Sequence, residues 1–308
     1  SPGHEPRSLR RYVVAKEHTI HAALAKKGRG LLRRLLGRWR HATPAMAQSA
    51  LDLADIQGCI LRGYRMPMVR HFLLTVDMPA HARRQLGRLV SGDESDAPQI
   101  TTAEDWHVGF APGPGDNPTA APRRTPDYCL NIGITWPGLV ALEIQERVPN
   151  LSFKSFGAFI EGAAQRAELV GDTGAGSPQN WLGGFGSGDD HVLLTLHAIS
   201  PEAMTSYSDR LSAWFAEGDA FREIWRQDGM ALMEMQDGQP VPTSKIHFGY
   251  TDGITTITIR GGPERYHPDH QQPCEPWLFV LREDAENYEV PEPRQLGLNG
   301  SFGAFKKI

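Results

Sequence analysis

The sequence predicts an α+β fold: a ferredoxin-like β-α-β-β-α-β unit whose antiparallel sheet carries helices on one face. Three observations predict it. Hydrophobic residues are 40% and charged residues 22% of the 308, the balance of an ordinary globular protein. No stretch reaches the roughly 18 uninterrupted apolar residues of a membrane-spanning helix. From residue 69 onward, strand-like and helix-like patterns alternate in that order.

Residues 69–77 (VRHFLLTVD) read as the first strand, and 80–90 have helical periodicity. Residues 105–110 read as a short strand, followed by a Pro/Gly-rich loop at 113–126. Residues 128–135 (YCLNIGIT) are the next strand, and Pro137 opens a helix running to about Glu146. A long connection rich in Gly turns fills 151–190. Residues 191–198 (HVLLTLHA) complete the strand order, and 201–216 form a helix. Residues 231–235 and 277–281 read as strands, and 301–308 (SFGAFKKI) begin another. An unfinished sheet edge needs a neighbour.

Charge is uneven. Residues 1–50 carry 11 Lys/Arg against 2 acids, and the remainder carries 21 against 34. Within 29–39 (RGLLRRLLGRW), Leu31, Leu32, Leu35 and Leu36 form an apolar stripe flanked by arginines. That segment offers contact to a membrane face or an acidic partner, or it packs on its own body. Nucleic-acid binding is not expected, because the body is acidic and the arm has few aromatics. Cys59, Cys129 and Cys274 give neither a CxxC motif nor a disulfide framework. With no secretory signal pattern, a reducing, cytoplasmic location is expected.

The chemistry concentrates at 247–254 (HFGYTDGI). Gly249 and Gly253 bracket one carboxylate, Asp252, on a turn where the backbone could approach a flat ligand. Taken alone, Asp-Gly is a common turn dipeptide. The pair His267 and His270 sits at a helical i, i+3 spacing, but Pro268 and Pro263 favour a solvated loop.

Five ordered segments resemble one family. Gly249-Tyr250-Thr251-Asp252-Gly253 is similar to the GxxDG signature of the dye-decolorizing peroxidases. Residues 55–64 (DIQGCILRGY) resemble that family's opening segment, with Cys59 where Asn is usual. Residues 130–135 with Gly138-Leu139 resemble its strand–helix. Arg166-Ala167, Gly171-Asp172 and Trp181 resemble a third segment, and Asn299-Gly300-Ser301-Phe302 with Phe305 resembles a last one. The resemblance covers roughly residues 53–308.

It implies two ferredoxin-like repeats and haem b (iron protoporphyrin IX). The domains implied are a basic extension at 1–50, a first unit at 51–240, and the start of a haem-binding unit at 241–308. It implies a peroxidase that uses hydrogen peroxide to oxidise dyes, phenols or other small aromatic reductants. Asp252 would relay the proton between the peroxide oxygens. Tyr250, Thr251, Gly253, Ile254 and Thr255 would line the distal face, with His247 near the haem edge. The family's axial histidine and distal arginine lie beyond the segment matched by 299–305. Three explanations stand: a second polypeptide supplies them, the sequence is cut there, or the chain no longer binds haem. The first is favoured; the rival function is a non-catalytic scaffold on a degenerate peroxidase fold.

Overall fold

The computed structural model describes residues 51–64, 66–108, 126–243, 245–251, 257–262 and 272–305. The basic extension, with its amphipathic segment at 29–39, lies outside the described residues, as do His267 and His270.

The chain enters through a short helix α1 (Gly58–Leu61) and strand β1 (Met68–Val76). Helix α2 (Pro79–Arg88) and helix α3 (Ala103–Val108) lead to β2 (Tyr128–Ile134). Helices α4 (Trp136–Ala141), α5 (Ile144–Arg147) and α6 (Gly157–Gln165) precede β3 (Val192–Ala198). Helix α7 (Pro201–Ala216) then leads to β4 (Phe221–Met230). The four strands form one sheet in the order β2-β3-β1-β4, every neighbouring pair antiparallel. Strands β1 and β2 therefore run the same way with β3 between them, and β3 and β4 run the same way with β1 between them.

Alternation decides which face is covered. Along β3, Val192, Leu194, Leu196 and Ala198 are buried, while the residues between them are half-buried. Leu194 stands opposite Phe72 on one side and Ile132 on the other. These pack with Leu86 of α2, Leu139 of α4, and Leu211, Trp214 and Phe215 of α7 in one core. Each such side chain contributes about 1.5–3 kcal/mol on burial.

The helix ends are fixed locally. The Ser200 hydroxyl accepts the Ala203 N–H at 3.2 Å, and Pro201 supplies the first turn of α7. The Thr135 hydroxyl accepts the Gly138 N–H at 3.1 Å at the start of α4. Gly138 lies so close to β3 that a Cβ there would meet the His191 carbonyl oxygen at 2.2 Å. Only glycine allows that approach.

The α+β class and the antiparallel sheet stand, but several elements differ from expectation. Residues 103–108 are helical rather than part of a strand, because Thr102 and Asp105 cap each other: the Asp105 N–H donates to the Thr102 hydroxyl at 3.1 Å, and the Thr102 N–H to the Asp105 carboxylate at 3.2 Å. The helix expected from Pro137 to Glu146 breaks at Glu143, whose φ is +55°. Residues 151–190 contain α6. The strand expected at 277–281 is a single 3₁₀ turn at Pro276–Leu278. Residues 301–305 form no strand. They lay Phe302 among Phe156 and Phe159, and Phe305 against His71, Phe185 and Trp225. The fourth strand of the sheet, β4, was not expected.

Beyond the sheet, β5 (Met233–Gln236) pairs with β6 (Gln239–Pro242) in a separate hairpin. Asp237 and Gly238 have φ of +50° and +77°, which is the left-handed pair a two-residue hairpin turn requires. The Thr243 N–H donates to the Leu232 carbonyl at 2.8 Å. By strand alternation, residues 239 and 241 also face β5, while Pro240 and Pro242 face away and have no N–H to offer.

Candidate functional site

The segment that carries the chemistry follows this hairpin. Lys245 and Thr251 bridge as antiparallel partners, the Ile246 N–H donates to the Tyr250 carbonyl at 2.8 Å, and the Gly249 N–H donates to the Ile246 carbonyl at 2.9 Å. The result is a tight turn fastened at its base. The Lys245 ammonium pairs with Glu234 of β5 at 2.5 Å, an exposed pair worth well under about 1 kcal/mol. Between turn and hairpin lies an open hollow of about 440 Å³, lined by Glu234, Met235, Val241, Lys245 and Thr251 among others.

Of the expected site residues, Thr251 borders this hollow. His247 is exposed, and Tyr250 is 73% exposed beside Phe248 at 74%. Asp252, Gly253, Ile254 and Thr255 lie outside the described residues.

Iron needs a ligand, and four of the described histidines make their contacts away from this turn. His71 hydrogen-bonds the Thr195 hydroxyl at 3.0 Å beneath the Phe305 ring. His81 bonds the Gly218 carbonyl at 2.5 Å. The Val76 N–H donates to His191 Nδ1 at 2.8 Å, so His191 Nε2 carries the proton and donates to the Gly188 carbonyl at 3.0 Å. The ring of His197 packs edge-on to Tyr64 at 5.0 Å, and its pKa is lowered to about 4, chiefly by burial and then by neighbouring His71. No histidine lines the hollow. Among the described residues, no cluster of three or more His, Cys, Asp or Glu could hold a metal ion. These four histidines therefore offer no axial ligand at the turn, and His247 is the described histidine that the turn itself carries. The Cys129 thiol is pushed up to about 12 by burial and is no nucleophile at neutral pH.

The other motif segments turn out to build the scaffold. Strand β2 is an edge, and an edge strand leaves backbone groups unpaired. The Gln57 side chain satisfies them: its oxygen accepts the Ile132 N–H at 2.8 Å, and its nitrogen donates to the Ile132 carbonyl at 2.9 Å. Thr101 does the same one step along, its N–H donating to the Leu130 carbonyl at 2.9 Å and its hydroxyl accepting the Leu130 N–H at 3.0 Å. Gly58 lets the chain turn there, since a Cβ would lie 2.7 Å from the Tyr64 hydroxyl. The Asn299 amide donates to the Asp55 carboxylate at 2.8 Å, joining the last motif segment to the first. Sequence reasoning missed Gln57 and Thr101. A polar residue beside a strand edge carries no periodic signal.

No family model matches the chain. It is 24% identical over 269 residues to Peroxidase 2 of Mycetinis scorodonius, a match covering 87% of this chain and 45% of that protein. It is 23% identical over 271 residues to Dye-decolorizing peroxidase msp1 of the same organism, covering 87% and 46%. Among solved structures, an ancestral D-type dye-decolorizing peroxidase superposes with a TM-score of 0.57 at 26% identity, over 76% of this chain and 45% of that one. A dye-decolorizing peroxidase in complex with 2,6-dimethoxyphenol gives 0.56 at 21% identity, over 77% and 45%, a likeness of fold. The chain spans just under half the length of the relatives it matches. The resemblance read from the motifs thus holds in sequence and in fold.

Proposed function

We propose that this chain, a relative of the dye-decolorizing peroxidases in sequence and fold, is part of a haem peroxidase of that type. In this reading hydrogen peroxide is the oxidant, and dyes, phenols or similar small aromatics are the reductants. Bound haem b would supply the iron at which peroxide is activated. The chain's own contribution is the Asp252 carboxylate, which takes one proton from peroxide and returns it to the leaving oxygen. Tyr250, Thr251, Gly253, Ile254, Thr255 and His247 flank it. The sheet is then the first of two ferredoxin-like units, with 241–308 beginning the second. In this reading a second polypeptide supplies the axial histidine and the distal arginine, which the resemblance places beyond the segment matched by 299–305.

One observation carries the reading. The motif segments run in family order from Asp55 to Phe305, and their two ends meet in the Asn299–Asp55 hydrogen bond. The exposed turn and hairpin beside Thr251 are consistent with a site that another polypeptide covers.

The test is reconstitution with haem, with and without the polypeptide that carries the axial ligand. A Soret band is expected with both present. Asp252→Asn should keep that band and slow peroxide-dependent dye oxidation by about 10²-fold or more. No Soret band under any combination refutes the reading and leaves the non-catalytic scaffold.

A further inference from the structure

The peroxidase reading gives the basic extension no task. Its leucines and arginines alternate so that Leu31, Leu32, Leu35 and Leu36 share one face at helical spacing, between Arg29, Arg33, Arg34 and Arg38. Such a segment fits a surface that is apolar in the middle and acidic around it.

The connection between β2 and β3 carries both exposed apolar and exposed acidic residues. Residues 157–190 fold back on themselves. The Trp181 indole donates to the Gly176 carbonyl at 2.8 Å, the Asp172 N–H to the Ala167 carbonyl at 2.8 Å, and Gly186 lies tight against Trp181 and Ala164. On the surface of this lobe Leu169, Val170 and Leu182 are 74%, 66% and 63% exposed. Glu161, Glu168 and Asp189 are exposed in the same lobe, and its one arginine, Arg166, is paired with Glu161 at 2.7 Å. The apolar surface around the hairpin lacks this charge, because Glu234 there is matched by Lys245.

The extension also joins the body close by. Leu51 is buried in a small cluster with Val280. The Tyr288 hydroxyl donates to the Val280 carbonyl at 3.1 Å, and the Tyr288 ring lies 5.5 Å from Phe156, at the start of α6. Fully extended, the chain from Arg40 to Leu51 spans up to about 40 Å, ample to return to the lobe.

We infer that residues 29–39 dock on the acidic, apolar surface of the 157–190 lobe of the same chain. The leucine face covers Leu169, Val170 and Leu182, and the arginines meet Glu168 and Asp189. The inference rests on charge and apolar complementarity and is independent of the peroxidase reading.

The experiment uses the full chain. Carbodiimide cross-linking followed by peptide mass spectrometry should join Lys26 or Lys27 to Glu168 or Asp189 within one chain. In hydrogen exchange, Leu31→Ser/Leu35→Ser should speed exchange across 168–182 by roughly five-fold. About 0.5 M salt should do so partially, by screening the charge pairs. Cross-links that form only between chains, and rise with protein concentration, would overturn docking in cis. So would exchange across 168–182 that neither the leucine variant nor salt changes. Capture by anionic phosphatidylserine vesicles with the lobe's exchange unaltered would assign the segment to a membrane surface instead.

Discussion

Between Met68 and Met230 the strands set alternate residues into a core beneath α2, α4 and α7, whereas between Met233 and Pro242 every strand residue is exposed. Both regions have regular pairing and well-formed turns. The difference is a covering layer: the first has three helices on one face, and the second has none among the described residues. An isolated two-stranded hairpin is marginal in water. The contrast teaches that this chain stabilises its sheet with its own helices, whereas the hairpin beside the candidate turn carries no such layer among the described residues.

The comparison can be broken first at its strong end. Gly138→Val would drive a side chain into the His191 carbonyl, and loss of more than about 4 kcal/mol is expected in urea denaturation. A loss below about 1 kcal/mol would show that α4 does not lock β3 as described.

The next effect is smaller and depends on pH. His197 has its folded pKa lowered to about 4, below the usual 6.5, so folding favours the neutral ring. Its contribution is fully present above pH 6.5 and is lost as pH falls toward 4, by at most about 3 kcal/mol. Burial lowers His71 as well, with the same sign. Denaturation at a series of pH values should show this slope, and His197→Gln should flatten it. An unchanged slope in the variant would remove His197 as its source.

The smallest effect belongs to the exposed side. Phe248→Ala should change the stability of this chain alone by no more than about 0.5 kcal/mol. A larger loss would mean that the turn is packed by its own chain and the contrast between the regions is false.

Much of the scaffold was legible because burial writes a period into the sequence. Val192 to Ala198 alternates cleanly, and Ser200-Pro201 announces α7. Strand β4 was hidden because Arg222, Glu223, Arg226 and Asp228 interrupt its apolar residues. Their reasons are tertiary: Arg70 forms a two-pronged pair with Asp228 at 2.6 Å, and Arg226 lies 4.8 Å over the Phe72 ring. Helix α3 was misread because the reciprocal Thr102–Asp105 cap outweighed the strand-like pattern after it. At the site, the Asp252 turn could be recognised by its motif, whereas the Gln57 amide that seals the sheet edge could be found only in three dimensions.

Pro240 and Pro242 have one more consequence. Turned outward, they leave the far flank of the hairpin without amide hydrogens, while the flank formed by Met233 and Met235 keeps them. A third strand can be laid down on one side only. Stacking copies of this hairpin into an endless ribbon is therefore blocked by composition.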